Sequence, residues 1–550
     1  MRGLMMDFPL TLPALLRHSE QVHRDREIVS RTTDGSIRRT TYGACLDRAR
    51  RVGVALRKLG MKPGDRIATF CWTHDRHLEL YYGVPGSGFV NHTLNIRLHP
   101  DDLAYITNHA GDRVAFVDST LWPTFEKFRE RAPFEHVIMI SDDGSAPAGT
   151  ILYEDFVAGA TPEPFAEIAD ENTAAGMCYT SGTTGQPKGV VYSHRSQVLH
   201  SLCLATPDAF NLGAMDSVLP VVPMFHANAW GIPYAAAMVG AKLVLPGPHM
   251  DPASIVDLLA RERVTMTAGV PTIWMGILDY LDNHRGEFDL SACRRILVGG
   301  SAVPESLIRA LQERHGLHIM QAWGMTEMSP LGSVANARAE HARFSPSQHY
   351  AYRATQGLPA PFVETRARNE NGDVPWDGET MGELEVRGPW IASSYYQSDE
   401  AADRFTADGW FRTGDIVTIA SDGRIVIQDR AKDLVKSGGE WISSVAVESH
   451  LMGHPEVAEA AIIAIAHPKW AERPLAIVVP KSGCSPQCES LRAHLATKFA
   501  PWWLPDAYEF ATALPRTPTG KVRKNELREQ YASRYMQAYN APLKEASSLR

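Results

Sequence analysis

The stretch CYTSGTTGQPKGVVYS, residues 178–193, packs three glycines, three threonines, two serines and one lysine between apolar runs. Glycine lets backbone N–H groups approach an anion closely, and hydroxyls add donors. Four hydroxyls fall within residues 180–184 alone (Thr180, Ser181, Thr183 and Thr184), and Lys188 supplies a point charge. A phosphate-binding loop is expected. It is not a Walker A loop, in which a Ser or Thr directly follows the lysine. Here the Gly182–Gly185 spacing is too short, and Gly189 follows Lys188. The segment 191–202 behind it is expected to be a helix whose start favours an anion.

Outward from this loop, short β-branched runs alternate with amphipathic stretches. RIATFCW (66–72), RVAFVD (113–118), HVIMIS (136–141), KLVLPG (242–247), VTMTAGV (264–270) and RRILVGG (294–300) look like buried strands. SIVDLLARER (254–263) and ESLIRALQERHG (305–316) carry helical spacing. That alternation predicts an α/β fold with mainly parallel sheets flanked by helices. After about residue 355, short strands and Gly/Asp turns predict an antiparallel, β-barrel-like part. From about 431 a smaller α+β unit begins, with VAVESHLMGH as helix and AEAAIIAIAH as strand. The expected division is 1–430 and 431–550, with the antiparallel part at about 355–430.

The chain has 550 residues, 44% of them hydrophobic, enough for several buried cores. Its net charge of −8 and lack of a polybasic block argue against nucleic acid as a partner. No run of 18 uninterrupted apolar residues predicts a transmembrane segment, and the start MRGLMMDFPLTLPALLRHSE has no A-x-A cleavage site. A cytoplasmic location is expected. Seven scattered cysteines make no disulfide framework, and the close pair Cys484 and Cys488 has no histidine partners for zinc.

In IVTIASDGRIVIQ (416–428), Asp422-Gly423 favours a two-residue type I′ turn. Paired positions would then sum to 845, setting Asp415 opposite Arg430. A surface ion pair and a binding pair are both open at this point.

Six segments in order resemble the adenylate-forming superfamily of acyl- and aryl-CoA synthetases, luciferases and peptide-synthetase adenylation domains. They are YTSGTTGQPKG, PMFHANAW (223–230), QAWGMTE (321–327), WFRTGD (410–415), RAKDLVKSGGEWIS (430–443) and PTGKVRK (518–524). The resemblance implies that a carboxylate attacks the α-phosphorus of ATP, giving acyl-adenylate and pyrophosphate, and that the thiol of coenzyme A then expels AMP. It implies ATP/AMP contacts from Thr180, Ser181, Gly182, Thr183, Thr184, Gly185 and Lys188, with Gly300, Ser301, Ala302, Gln321, Ala322, Trp323 and Gly324 around adenine. Asp415 would accept the ribose hydroxyls with Arg430 beside it. Thr326 would lie by the α-phosphate, and Glu327 would be a catalytic carboxylate holding Mg2+. Lys521 would bridge carboxylate and α-phosphate.

The same resemblance implies a mobile C-terminal domain swinging on Lys432, with Asp433 next to it. One orientation would present Lys521. The other would present Lys436, Gly438, Gly439, Glu440 and Trp441 to the pantetheine arm. Arg516, Lys521, Arg523 and Lys524 have an alternative use on CoA phosphates. His226 resembles a catalytic aromatic gate, and Trp230 would share its face if that segment is helical. With Gly300, Gly324 and Pro330 they would form the acyl pocket, a large indole against small glycines suiting a short or medium chain. FHANAW carries no acidic residue for an amino-acid amine. GSGFVNHTLNIRLHPDDLAYI resembles medium-chain fatty-acyl-CoA ligases and 3-methylmercaptopropionyl-CoA ligases. The expected enzyme is an AMP-forming acid–thiol ligase acting on a short or medium acid, 3-methylmercaptopropionate foremost. Alternatives are medium-chain fatty or aryl acids, or loading of a carrier protein. A homodimer is also open.

Overall fold

The computed structural model describes residues 1–180, 186–398, 402–437, 440–517 and 520–531, and for Glu440 the backbone alone. Two large sheets make up the N-terminal part. In the first, strands at 151–152, 136–140, 114–118, 66–70, 90–93 and 174–179 run parallel in that spatial order, and 189–193 closes the edge antiparallel. Val114–Asp118 is buried at every position, as a parallel strand covered on both faces must be. The second sheet has nine strands. Its parallel centre runs 319–324, 295–298, 266–269, 217–220, 242–245 and 27–31, and antiparallel strands close both edges.

The helices begin where their caps dictate. Asp251 accepts from Ser254 N at 3.0 Å, with Pro252 next in line, and Pro252–Arg261 follows. Such a cap is worth about 0.5–2 kcal/mol. Glu305–His315 stops at Gly316 in the left-handed region.

One expectation is overturned next to the glycine-rich loop. The chain leaves it as strand Gly189–Ser193, paired antiparallel with Ala174–Tyr179, and the helix starts only at His194 under its own Ser193 cap. The loop is therefore a hairpin connection, with no helix N-terminus at its end. The adjacent valines and the tyrosine of GVVYS favour strand over helix.

The five-stranded antiparallel sheet comprises 372–373, 364–369, 382–387, 411–419 and 425–430. Asp415 does pair with Arg430, by a different route from the one expected. The turn has three loop residues, Ser421 to Gly423, with Gly423 at φ +86° and Ala420 N donating to Arg424 O. Pairs near it therefore sum to 844. A bulge that leaves Gln428 unpaired restores 845 at Ile416–Asp429 and Asp415–Arg430.

The smaller C-terminal unit pairs 440–442, 435–437, 471–480 and 457–467 antiparallel, with 507–510 added parallel. Ser444–Leu451 and Cys488–Ala496 pack as helices in it, and 524–531 are helical as well. Among the described residues, no helix is long and apolar enough to cross a membrane.

Candidate active site

Strand pairing alone brings Asp415 and Arg430 together, and side chains complete the contact. Arg430 Nε lies 2.8 Å from Asp415 Oδ1, and Trp323 Nε1 donates to Asp415 Oδ2 at 3.0 Å. Asp415 is only 2% exposed. A buried carboxylate needs such partners, and these draw the 319–324 strand to the antiparallel sheet. Gln321, on the same strand, accepts from Val303 N at 3.0 Å and so ties down the turn carrying Ser301 and Ala302. Ala322 is buried beside it.

Glu327 is buried and accepts the Tyr395 hydroxyl at Oε1, 2.6 Å away. The Tyr192 hydroxyl donates to Thr326 O at 2.8 Å. Lys188 Nζ sits 5.8 Å from the Tyr395 ring centroid. Thr180 N donates to Lys188 O at 2.9 Å, closing the mouth of the glycine-rich loop. That loop's Ser181, Gly182, Thr183, Thr184 and Gly185 lie outside the described residues.

Lys521 arrives on a turn in which Thr517 N donates to Lys521 O and Lys521 N to Thr517 Oγ1. Gly520, at φ +86°, rests against the start of helix Pro271–Asn283, where a Cβ would lie 3.4 Å from Thr272 Oγ1. The lysine is exposed, yet its pKa is lowered to about 8. Desolvation by the cleft walls is the main cause. Arg430 and Lys432 add repulsion, while Asp415 and Glu327 pull the other way. Lys521 thus feels the residues of three motifs lying up to 194 positions upstream.

His226 has its pKa lowered to about 4, chiefly by burial and then by Lys521 and Arg97, so its imidazole is neutral near pH 7. It does not share a helical face with Trp230. Asn228, Ala229 and Trp230 adopt left-handed backbone, φ 54°, 46° and 56°, in a tight turn. Left-handed conformation costs roughly 1–2 kcal/mol per residue. Here Asn228 Oδ1 accepts the Tyr81 hydroxyl at 3.5 Å and Ala229 N donates to His226 O, which hold the turn. The Trp230 indole crowds Gly299, where a Cβ would lie 3.2 Å from Trp230 Cη2. At Gly300, φ +89°, a Cβ would face Val270 instead. Gly324 touches Pro330 directly, since a Cβ there would sit 1.9 Å from Pro330 O.

Past the 425–430 strand, Lys432 is exposed and Asp433 buried, the latter paired with Arg528. Desolvation lowers the Lys432 pKa. Lys436 and Trp441 pair across the 435–442 hairpin. Gly438 and Gly439, and the side chain of Glu440, lie outside the described residues. Three members of the basic block hold carboxylates. Arg516 holds Glu459, Arg523 holds Glu526 and Lys524 holds Glu448, at 2.8, 2.5 and 2.6 Å. Tyr395, Tyr192 and Arg97 were not legible as site residues, because each reaches the site through tertiary packing and lies outside the six motifs.

The sequence model of the AMP-binding enzyme family matches residues 16–396, and that of the AMP-binding enzyme C-terminal domain matches 446–521. A long-chain-fatty-acid–CoA ligase of Thermus thermophilus is 49% identical over 96% of this chain and 97% of its own. A medium-chain-fatty-acid–CoA ligase of Ectopseudomonas oleovorans is 45% identical, covering 96% and 98%. A 3-methylmercaptopropionyl-CoA ligase of Ruegeria lacuscaerulensis is 44% identical, covering 96% and 99%. ATP-bound MatB from Rhodopseudomonas palustris superposes with a TM-score of 0.81 at 26% identity, covering 96% and 100%. The chain belongs to the AMP-binding enzyme family. It is an ATP-dependent acid–thiol ligase.

Proposed function

We propose that the protein joins a short- or medium-chain carboxylic acid, 3-methylmercaptopropionate foremost, to coenzyme A through an acyl-adenylate. The observation that carries this is Lys521 placed within the electrostatic reach of Asp415, Arg430, Glu327 and His226. A carboxylate oxygen bonds to the α-phosphorus and the bond to pyrophosphate breaks. The CoA thiol then bonds to the acyl carbon, and AMP leaves with the C–O bonding pair. Attack on a polyanion by an anion needs neutralisation and alignment more than a base. Lys521 and Lys188 supply positive charge, Asp415 accepts the ribose hydroxyls, and neutral His226 lets the acyl group pass without repelling Lys521. The buried carboxylate of Glu327, steered by Tyr395, fits a hard cation. Mg2+ held there would neutralise phosphate charge.

The residues 1–430 form the ATP- and acyl-binding domain in this reading, its antiparallel part spanning about 355–430. Residues 431–550 form the moving domain, with the hinge at Lys432. Mass-spectrometric detection of thioesters from a mixture of C2–C12, aryl and thioether acids tests the substrate class. Release of acyl-adenylate alone, with free CoA present, would refute the ligase reading.

Relatives named for long-chain, medium-chain and thioether acids share the fold, so chain length must come from the pocket wall. Trp230→Gly is expected to raise kcat/KM for C12 acids at least tenfold relative to C4. A chain-length profile checks this. The Lys521 pKa of about 8 predicts a further signature. The ammonium is the active form, so adenylation kcat/KM is full below pH 8 and falls tenfold per unit well above it. Thioester formation from supplied acyl-adenylate should lack that limb.

A further inference from the structure

Asp429 and Arg430 are successive residues at the end of one strand, so their side chains take opposite faces. Arg430 turns to Asp415. Asp429, 1% exposed, turns to the C-terminal unit. Its Oδ1 accepts from Arg430 N at 2.8 Å and its Oδ2 from Ser444 N at 2.9 Å, the first turn of helix Ser444–Leu451. The Ser443 hydroxyl donates to Gln428 O, the bulged residue of the same strand. Lys524, three residues past Lys521, contacts the Ser444 hydroxyl and pairs with Glu448, and its charge faces Asp429. The strand end that positions Arg430 is thereby tied to the segment that delivers Lys521.

We propose that Asp429 is a positioning residue for adenylation alone, a contact that holds the C-terminal unit in the orientation presenting Lys521. The proposal rests on the two-step reading and the hinge at Lys432. Asp429 precedes that hinge and Ser444 follows it, so the contact must open before the second orientation forms. A carboxylate suits the post because each oxygen takes one backbone N–H. An Asn would set its own NH2 against one of those donors and remove the charge opposite Lys524.

The test separates the half-reactions. For Asp429→Asn, pyrophosphate exchange is expected to fall about 10- to 100-fold, the scale of a lost hydrogen bond to a charged group. CoA thioester formation from supplied acyl-adenylate should stay within about twofold of wild type. Ser443→Ala, which removes the neighbouring tie, should show the same split more weakly and serves if Asp429→Asn fails to fold. A fall in both half-reactions together, or in neither, overturns the proposal. Absence of exchange in the wild-type enzyme with every acid would instead overturn the adenylation reading beneath it.

Discussion

Lys521→Ala should abolish adenylation while sparing the second half-reaction. Removing a single donor aimed at developing charge costs typically 10²–10³ in rate, and in the proposed mechanism Lys521 is also the group that the C-terminal unit delivers. Pyrophosphate exchange is therefore expected to fall at least 10³-fold. Supplied acyl-adenylate and CoA should still give thioester at near wild-type rate, because that step needs no charge on the α-phosphate. Equal loss in both assays would show that Lys521 shapes the fold of its turn and not the chemistry. The Thr517 bonds to the Lys521 backbone argue against that, since they do not use the side chain.

Asp415→Ala is expected to act on binding as much as on rate. The carboxylate is buried and holds both Arg430 and the Trp323 indole. Its loss strands a cation and a donor at the junction of two sheets, and breaking a buried pair costs about 3–5 kcal/mol. Arg430 reaches partial solvent, so the lower end applies here. The KM for ATP should rise on the order of 100-fold and the melting temperature should fall. Asp415→Asn should recover stability, since one oxygen still accepts from Trp323, yet not ATP affinity. Titration calorimetry with ATP and thermal melting separate the two effects.

The parallel strands were legible because burial on both faces writes a continuous β-branched run, as in VAFVD. The Asp415–Arg430 pair was legible too, though two local features cancelled, a three-residue turn and a bulge at Gln428, each shifting the register by one. Bulges leave no sequence pattern of their own, so the agreement rested on their sum. The segment after the glycine-rich loop was misassigned because HRSQVLHSL is helical and the five residues before it, Gly189–Ser193, carry the strand. The geometry of FHANAW was illegible for a stronger reason. Only Asn228 hints at left-handed backbone; at Ala229 and Trp230 nothing announces it, and the surrounding core imposes it.

That turn bears on how the enzyme's substrate range can change. Trp230, the proposed pocket wall, crowds Gly299 and sits at φ 56°. Glycine and asparagine tolerate such backbone; valine, isoleucine and threonine do not. Trimming through valine, isoleucine or threonine is closed off by the main chain, whereas phenylalanine, leucine and methionine bear no more strain there than the resident tryptophan. The range of acids accepted by descendants of this sequence should therefore shift through unbranched side chains, and a library at position 230 should return few active β-branched members.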